Sequence, residues 1–227
     1  MTDHRTESPA SVDWANIDTV LLDMDGTLID LHFDNTLWNT RLPATYARTH
    51  NLSIEHAREH LFERMRLNAR TIEFYCIEYW AEFTDLNIMA LHEELAHLLC
   101  YRPGTEDFLQ WLKSKACTTL IATNAHRHSF NFKNDHLALT GHVDGVVSSH
   151  DYQQVKEGAD FWQLLCEREN INPARSLFID DNEQVLDAAA DFGIREVVCV
   201  ASPDSKRAPR TTSAHKMVHA LSDLIAD

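Results

Sequence analysis

Basic residues are scarce in this chain. Lysine and arginine together number 20 against 35 aspartates and glutamates, which leaves a formal net charge of -15. That balance argues against a nucleic-acid binder, which needs a basic face for the phosphate backbone. It also means that an anionic ligand has to be drawn in locally, by a metal ion or a few cationic side chains that outweigh the global field at short range. Long apolar runs are missing too. No stretch approaches the ~20 residues needed to span a bilayer, and the polar opening MTDHRTESPASVDW holds no signal-peptide core. The expectation is a cytoplasmic chain that does not engage a membrane. The five cysteines (Cys76, Cys100, Cys117, Cys166 and Cys199) are odd in number and form no CxxC pair, and the fourteen histidines show no HExxH spacing. These absences predict a reduced chain, argue against a disulfide framework or a zinc site, and leave most histidines as solvated surface.

Glycine is the next shortage, with only six in 227 residues. None falls between Leu31 and Tyr101, where Pro43 is the only proline and Ala, Leu, Glu and Arg abound with apolar residues at helical spacing. That stretch predicts several packed helices and no strand, with Ser53 as an N-cap. What surrounds it reads differently. Residues 1–13 form a polar lead-in, expected to be disordered. TVLLD is a buried strand. After Pro103-Gly104, helix and strand alternate through Glu106–Lys115, TTLIAT, His128–Leu139 (stopped by Gly141), DGVVSS, Ala159–Asn170, SLFID, Glu183–Phe192 (stopped by Gly193) and REVVCV, before a closing amphipathic segment at His215–Ile225. Hydrophobic residues make up 44 %, enough for a packed core. The pattern predicts an α/β fold: a doubly wound parallel sheet in two pieces, 14–30 and 102–227, with an inserted all-helical cap at 31–101.

Ligands in such sheets bind beyond the carboxyl ends of the strands, and chemistry-bearing residues cluster there. In Asp23-Met24-Asp25-Gly26-Thr27, strand alternation lets both carboxylates point one way while Met24 enters the core. Their repulsion would be relieved by a divalent cation, and hard oxygen donors suit Mg2+. Gly26 permits the turn, and Thr27 can hydrogen-bond locally. Thr123 and Asn124 end a strand before a helix, where a hydroxyl and backbone N–H groups can hold phosphate oxygens or simply cap the helix. Lys156 follows a strand and turn and opens a helix; its ammonium could neutralise a phosphoryl group or lie on the surface. Asp180 and Asp181 follow SLFI, either as a helix cap or as part of the metal site.

Taken in order, these four stretches resemble the four motifs of the haloacid dehalogenase superfamily, over essentially the whole chain after the lead-in. The resemblance implies that Asp23 is a nucleophile and Asp25 a general acid/base. It implies that Thr123, with Asn124, binds phosphate and that Lys156 stabilises the transferring group. Asp181 and Asp180 then complete a magnesium site with Asp23 and the backbone carbonyl of Asp25. The strings LLDMDGTLIDLHFDN, FYCIEYW, TNAH and LFIDDNEQVLDAAADFGI resemble the bacterial GMP/IMP 5′-nucleotidases of that superfamily, although the more usual Tyr-Pro-Lys-Glu is here Gln154-Val155-Lys156-Glu157.

The implied activity is magnesium-dependent hydrolysis of a phosphate monoester, a purine nucleoside 5′-monophosphate such as GMP or IMP. Phe33, Asn35 and Trp38, near the first strand, and Tyr75 and Tyr79, one helical turn apart, are candidates to select the leaving group. The aromatic run Phe74, Tyr75, Tyr79, Trp80 and Phe83 reads first as packing within the helical insert and only second as a platform for a base. Rival readings are a phosphatase for phosphoglycolate or a sugar phosphate, a phosphomutase, a dehalogenase, and a silent binding module. Asp25 and the Asp180-Asp181 pair argue against the dehalogenase, which needs neither metal nor acid.

Overall fold

The computed structural model describes residues 11–226. Six parallel strands form one sheet in the order β3-β2-β1-β4-β5-β6: β1 (Thr19–Leu22), β2 (Thr118–Thr123), β3 (Gly145–Ser148), β4 (Ser176–Asp180), β5 (Glu196–Val200) and β6 (Lys216–Val218). The chain starts in the middle, builds outward one way and then the other. β1 therefore lies between β2 and β4, with Leu22 opposite both Ile121 and Ile179. Both faces are buried, and alternate residues feed opposite layers. Val20, Leu22, Ile121 and Ile179 pack on one side with Phe108 and Leu112 of α7 (Thr105–Leu112) and Phe130 of α8 (Arg127–Leu137). Leu21, Leu120, Ala122 and Phe178 pack on the other with Phe161 and Trp162 of α10 (Ala159–Arg168) and Val185 and Leu186 of α11 (Glu183–Phe192). The short α9 (Ser149–Tyr152) follows β3 directly.

Between β1 and α7 the chain is helical: α1 (His32–Thr36), a π turn at Leu37–Arg41, α2 (Leu42–Thr49), α3 (Ile54–Leu67), α4 (Ile72–Tyr75), α5 (Ile77–Thr84) and α6 (Ile88–Leu95). These helices share a third apolar cluster around Leu37, Leu61, Trp80 and Leu91, which Phe132 of α8 joins from the sheet side. Ser53 caps α3, its hydroxyl accepting from His56 N–H at 3.3 Å. The chain re-enters the sheet layer at Arg102. This buried guanidinium donates to the carbonyls of Thr27, Ser202 and His219 and so ties three loops together.

Four local expectations change. Residues 1–10 of the lead-in lie outside the described residues, but Val12 packs against the core rather than being disordered. The helix before Gly141 ends at Leu137, because Ala138 takes a left-handed φ of 52° and Gly141 closes a 3-10 turn. Lys156 does not open a helix. It sits in the loop between α9 and α10, which starts at Ala159. The closing segment is a strand followed by a 3-10 turn. Val218, Leu221 and Leu224 repeat at near-helical spacing, yet Lys216–Val218 pairs with β5, and a Lys216–Glu196 ion pair at 2.6 Å fastens the sheet edge.

Candidate active site

The site grows from the carboxyl ends of β1, β2 and β4. Asp23 continues the ladder, its N–H donating to Ile179 C=O at 2.9 Å. The chain then folds back: Leu28 and Ile29 N–H donate to Met24 C=O, and Gly26 N–H donates to Ile29 C=O. Gly26 has φ +90°, and a Cβ there would stand 2.7 Å from the Asp181 carboxyl carbon. Glycine thus serves the turn and leaves room for an acidic side chain. Met24 is fully buried, as alternation requires. Thr27 differs from expectation, since its buried hydroxyl has no partner among the described residues.

Asp180 and Asp181 are free of capping duty. The N-cap of α11 is Asn182, whose side chain accepts from Gln184 N–H at 3.0 Å. Asp180 instead accepts from Asn182 N–H at 2.7 Å and from Lys156 Nζ at 2.7 Å. Lys156 Nζ also donates to Asp23 Oδ1 at 2.5 Å and to Ala122 C=O at 3.0 Å. Burial works against this ammonium, but Asp180 and Asp23 outweigh it and hold its pKa above the ordinary lysine value. The carboxyls carry the opposite strain. Burial pushes Asp23 well up, against the pull of Lys156, and burial together with Asp180 lifts Asp181 to about 7. Oxygens of Asp23, Asp180 and Asp181 all lie within 4.8 Å of one another. Three crowded carboxylates with one lysine are short of positive charge, and an all-oxygen donor set fits a hard divalent cation.

A family model for haloacid dehalogenase-like hydrolases matches residues 17–193. The chain is 36 % identical to the GMP/IMP nucleotidase YrfG of Escherichia coli (strain K12) over 215 residues, 95 % of this chain and 97 % of the relative. This protein belongs to the haloacid dehalogenase-like hydrolases. It is also 23 % identical to a phosphorylated carbohydrates phosphatase of Thermotoga maritima, covering 80 % of this chain and 84 % of that one. In fold it is similar to a HAD phosphatase from Thermococcus onnurineus, with a TM-score of 0.74, 19 % identity, and 90 % and 94 % of the two chains covered.

In this hydrolase the carboxylate cluster floors a cavity of about 920 Å³, near the upper end of small-molecule sites at roughly 300–1,000 Å³. Asp23, Asp25, Thr123, Asn124, Lys156, Asp180 and Asp181 all line it. Asn124 is already engaged. Its Oδ1 accepts from Lys156 N–H and its Nδ2 donates to Glu157, so it shapes the lysine loop and keeps one amide N–H for a ligand. Thr123 Oγ1 accepts from Ala125 N–H at 3.0 Å. Among the leaving-group candidates, Asn35, Trp38 and Tyr75 line the cavity, with Trp38 and Asn39 carried on the π turn. Phe33 and Tyr79 do not. Phe33 is fully buried against His92 and Phe132, and Tyr79 turns away to accept from Asn68 at 2.9 Å. The aromatic run divides accordingly: Phe74, Tyr75 and Trp80 face the cavity, whereas Tyr79 and Phe83 stack within the helical cluster.

Three further residues escaped sequence reasoning. Lys133 of α8 is fully buried and donates to Asp25 at 2.7 Å and to Asp34 at 2.8 Å and 2.9 Å. Glu157 accepts from Tyr75 Oη at 2.7 Å and from Asn124 Nδ2 at 2.9 Å, so it joins α4 to the end of β2. Arg210 donates to the backbone carbonyl of Asp181 at 2.7 Å and lines the cavity. A signal existed for Lys133 alone. It follows Ser129 by four and Phe130 by three, which puts it on the buried face of the helix.

Proposed function

We propose that this hydrolase is a magnesium-dependent phosphomonoesterase that works through an aspartyl-phosphate on Asp23, and that its substrates are purine nucleoside 5′-monophosphates, GMP and IMP. The supporting observation is the convergence of Asp23, Asp180 and Asp181 on one point, with Lys156 across Asp23 and Asp180, beneath a cavity with aromatic walls. On this reading residues 31–101 act as a cap over the core formed by 14–30 and 102–227. Asp23, Asp180, Asp181 and the carbonyl of Asp25 would hold Mg2+, which supplies charge neutralisation for the phosphoryl oxygens.

Asp23 attacks phosphorus in line; the bond to the ester oxygen breaks, and Asp25 gives that oxygen its proton. In the second half Asp25 takes a proton from water, which attacks phosphorus and breaks the bond to Asp23, releasing inorganic phosphate. Burial and the Asp34 charge, opposed by Lys133, put the Asp25 carboxyl at about 6, where it can both give and take a proton near neutrality. Lys156 keeps its proton throughout and stabilises charge on the transferring group. Trp38, Phe74 and Tyr75 offer rings to a purine, each stack worth roughly 1–3 kcal/mol. Asn35 and Asn39, hydrogen-bonded to each other at 3.1 Å, present amides to base or ribose.

Compare kcat/KM for GMP, IMP, AMP, UMP, phosphoglycolate and glucose 6-phosphate in magnesium, with Asp23→Asn and EDTA controls. GMP and IMP share a 6-oxo group and an N1–H that AMP lacks, and a site built to pair with them should favour them by about a hundredfold or more. Both controls should abolish turnover. If phosphoglycolate or the sugar phosphate outruns GMP and IMP, the purine assignment fails. Turnover that survives both controls overturns the phosphatase mechanism as well.

A further inference from the structure

Away from the carboxylate cluster, a second group of potential ligands assembles from three separate parts of the chain. Cys76 and Glu78 come from the start of α5. His126 comes from the loop after β2, where it caps α8. His126 Nε2 lies 3.1 Å from Glu78 Oε2, and Cys76 Sγ lies 3.5 Å from that same oxygen. All three donor atoms are within 4.8 Å of one another. Bonds of about 2.0–2.3 Å arranged tetrahedrally give edges of about 3.3–3.6 Å, so two of the three edges are already near the length a zinc site needs. The other Glu78 oxygen is held by His128 Nδ1 at 2.9 Å, the kind of outer contact that orients a ligating carboxylate. Independently, His150 packs edge-on against His126 with ring centroids 4.6 Å apart, and its buried Nε2 has no hydrogen-bond partner among the described residues. A further imidazole with an unpartnered ring nitrogen therefore stands beside His126.

We propose that Cys76, Glu78 and His126 form a binding site for a borderline-soft divalent cation of the zinc type, bridging the helical segment 31–101 and the sheet. Thiolate, imidazole and carboxylate together select such a cation over Mg2+, which takes oxygen donors. Binding transfers the Cys76 thiol proton to solvent, and the two anionic ligands then balance the ion. It also moves the His126 proton from Nε2 to Nδ1, giving up the contact that Nδ1 accepts from His128 N–H. At 3.3 Å that contact is weak. The short-range spacings sought in the sequence could not show this site, because Cys76 and His126 are brought together only by the docking of α5 on the loop after β2. A bound ion ties these two segments at the rim of the cavity and so slows any step that needs them to part.

The test is a Zn2+ titration of the full chain by calorimetry in millimolar Mg2+, which keeps the carboxylate cluster occupied, with Cys76→Ser, Glu78→Gln and His126→Gln alongside wild type. One site is expected, weakened at least tenfold in each variant. Co2+ should give a thiolate-to-metal charge-transfer band that Cys76→Ser lacks. Zn2+ should also inhibit magnesium-supported turnover in wild type, while Cys76→Ser keeps its turnover and resists the inhibition. Equal Zn2+ affinity in wild type and all three variants, or no thiolate band in wild type, would overturn the site. Inhibition of Cys76→Ser at the same Zn2+ concentration would show displacement of Mg2+ and overturn the bridging role.

Discussion

Lys133 is the residue whose removal should be felt most, although no motif contains it. It is 0 % exposed, while its partners Asp25 and Asp34 are 20 % and 16 % exposed. Burial works against its charge, but Asp25 and Asp34 outweigh burial and raise its pKa. Removing one member of a buried pair costs about 3–5 kcal/mol, and partial solvation of the two carboxylates brings the expectation for Lys133→Met to roughly 2–4 kcal/mol. Because Lys133 does not line the cavity, it holds Asp25 in place without touching substrate. Lys133→Met should therefore lower kcat roughly 100-fold, the low end of what general acid–base catalysis commonly contributes, with KM little changed. Denaturant unfolding and steady-state kinetics check the two parts separately. A rise in KM at constant kcat would show that Lys133 meets substrate instead. Residues of this kind define the limit of sequence reading. Asp23, Thr123 and Asp180 announce themselves by ending apolar strands, and Lys156 by a nearby turn. Lys133, Glu157 and Arg210 act through partners 29 to 108 positions away along the chain, and beyond the helical spacing that buries Lys133 nothing local marks them.

Among elements, β1 to β5 were the most legible because each apolar run coincided with a strand of one sheet, whereas β6, short and half exposed, read as an amphipathic segment. Glycine-poor composition likewise foretold helices between β1 and α7. Contacts between elements were not legible, and the seam of α6 with α8 shows why. His92 of α6 is 1 % exposed; its Nδ1 lies 2.9 Å from Ile88 C=O and its Nε2 3.3 Å from Ser129 Oγ. Nδ1 must carry the proton to serve the carbonyl, so Nε2 accepts from the serine and the ring is neutral. Burial lowers its pKa to about 4, from the ordinary histidine value of 6.5. Between those two values the unfolded chain binds a proton that the folded chain refuses. Stability from this residue is complete above about 6.5, falls as pH drops towards 4, and is flat below, a loss of about 3 kcal/mol at ~1.4 kcal/mol per pKa unit. Urea midpoints measured at pH 7.5 and 4.5 should differ less for His92→Gln than for wild type. An identical pH response in the two proteins would mean that His92 is solvated in solution.

At the scale of the whole molecule, the helical segment and the sheet have separate apolar interiors, and the contacts across their boundary are mostly polar. Besides Phe132 and Leu99, they include Lys133 with Asp34, Asn35 with Asp204, the Glu78 imidazole cluster, and Tyr75 with Glu157. A boundary of this kind can open at modest cost, which is what the proposed cap role of residues 31–101 needs. The Tyr75 hydroxyl is the most economical place to test it. It donates to a carboxylate that also receives Asn124, and Asn124 in turn holds the backbone N–H of Lys156. If residues 31–101 act as the proposed cap, its closure is linked through these bonds to the placement of the lysine. Tyr75→Phe keeps the ring that faces the cavity and deletes only the hydrogen bond. A bond to a charged acceptor is worth ~1.5–3 kcal/mol, and the low end of that range is about a tenfold loss of the closed form. KM should therefore rise about tenfold while kcat stays within about threefold, because saturating substrate restores closure. Steady-state kinetics in magnesium give both numbers. Unchanged KM in Tyr75→Phe would show that this contact does not govern closure. A large fall in kcat at constant KM would place the hydroxyl in the chemical step.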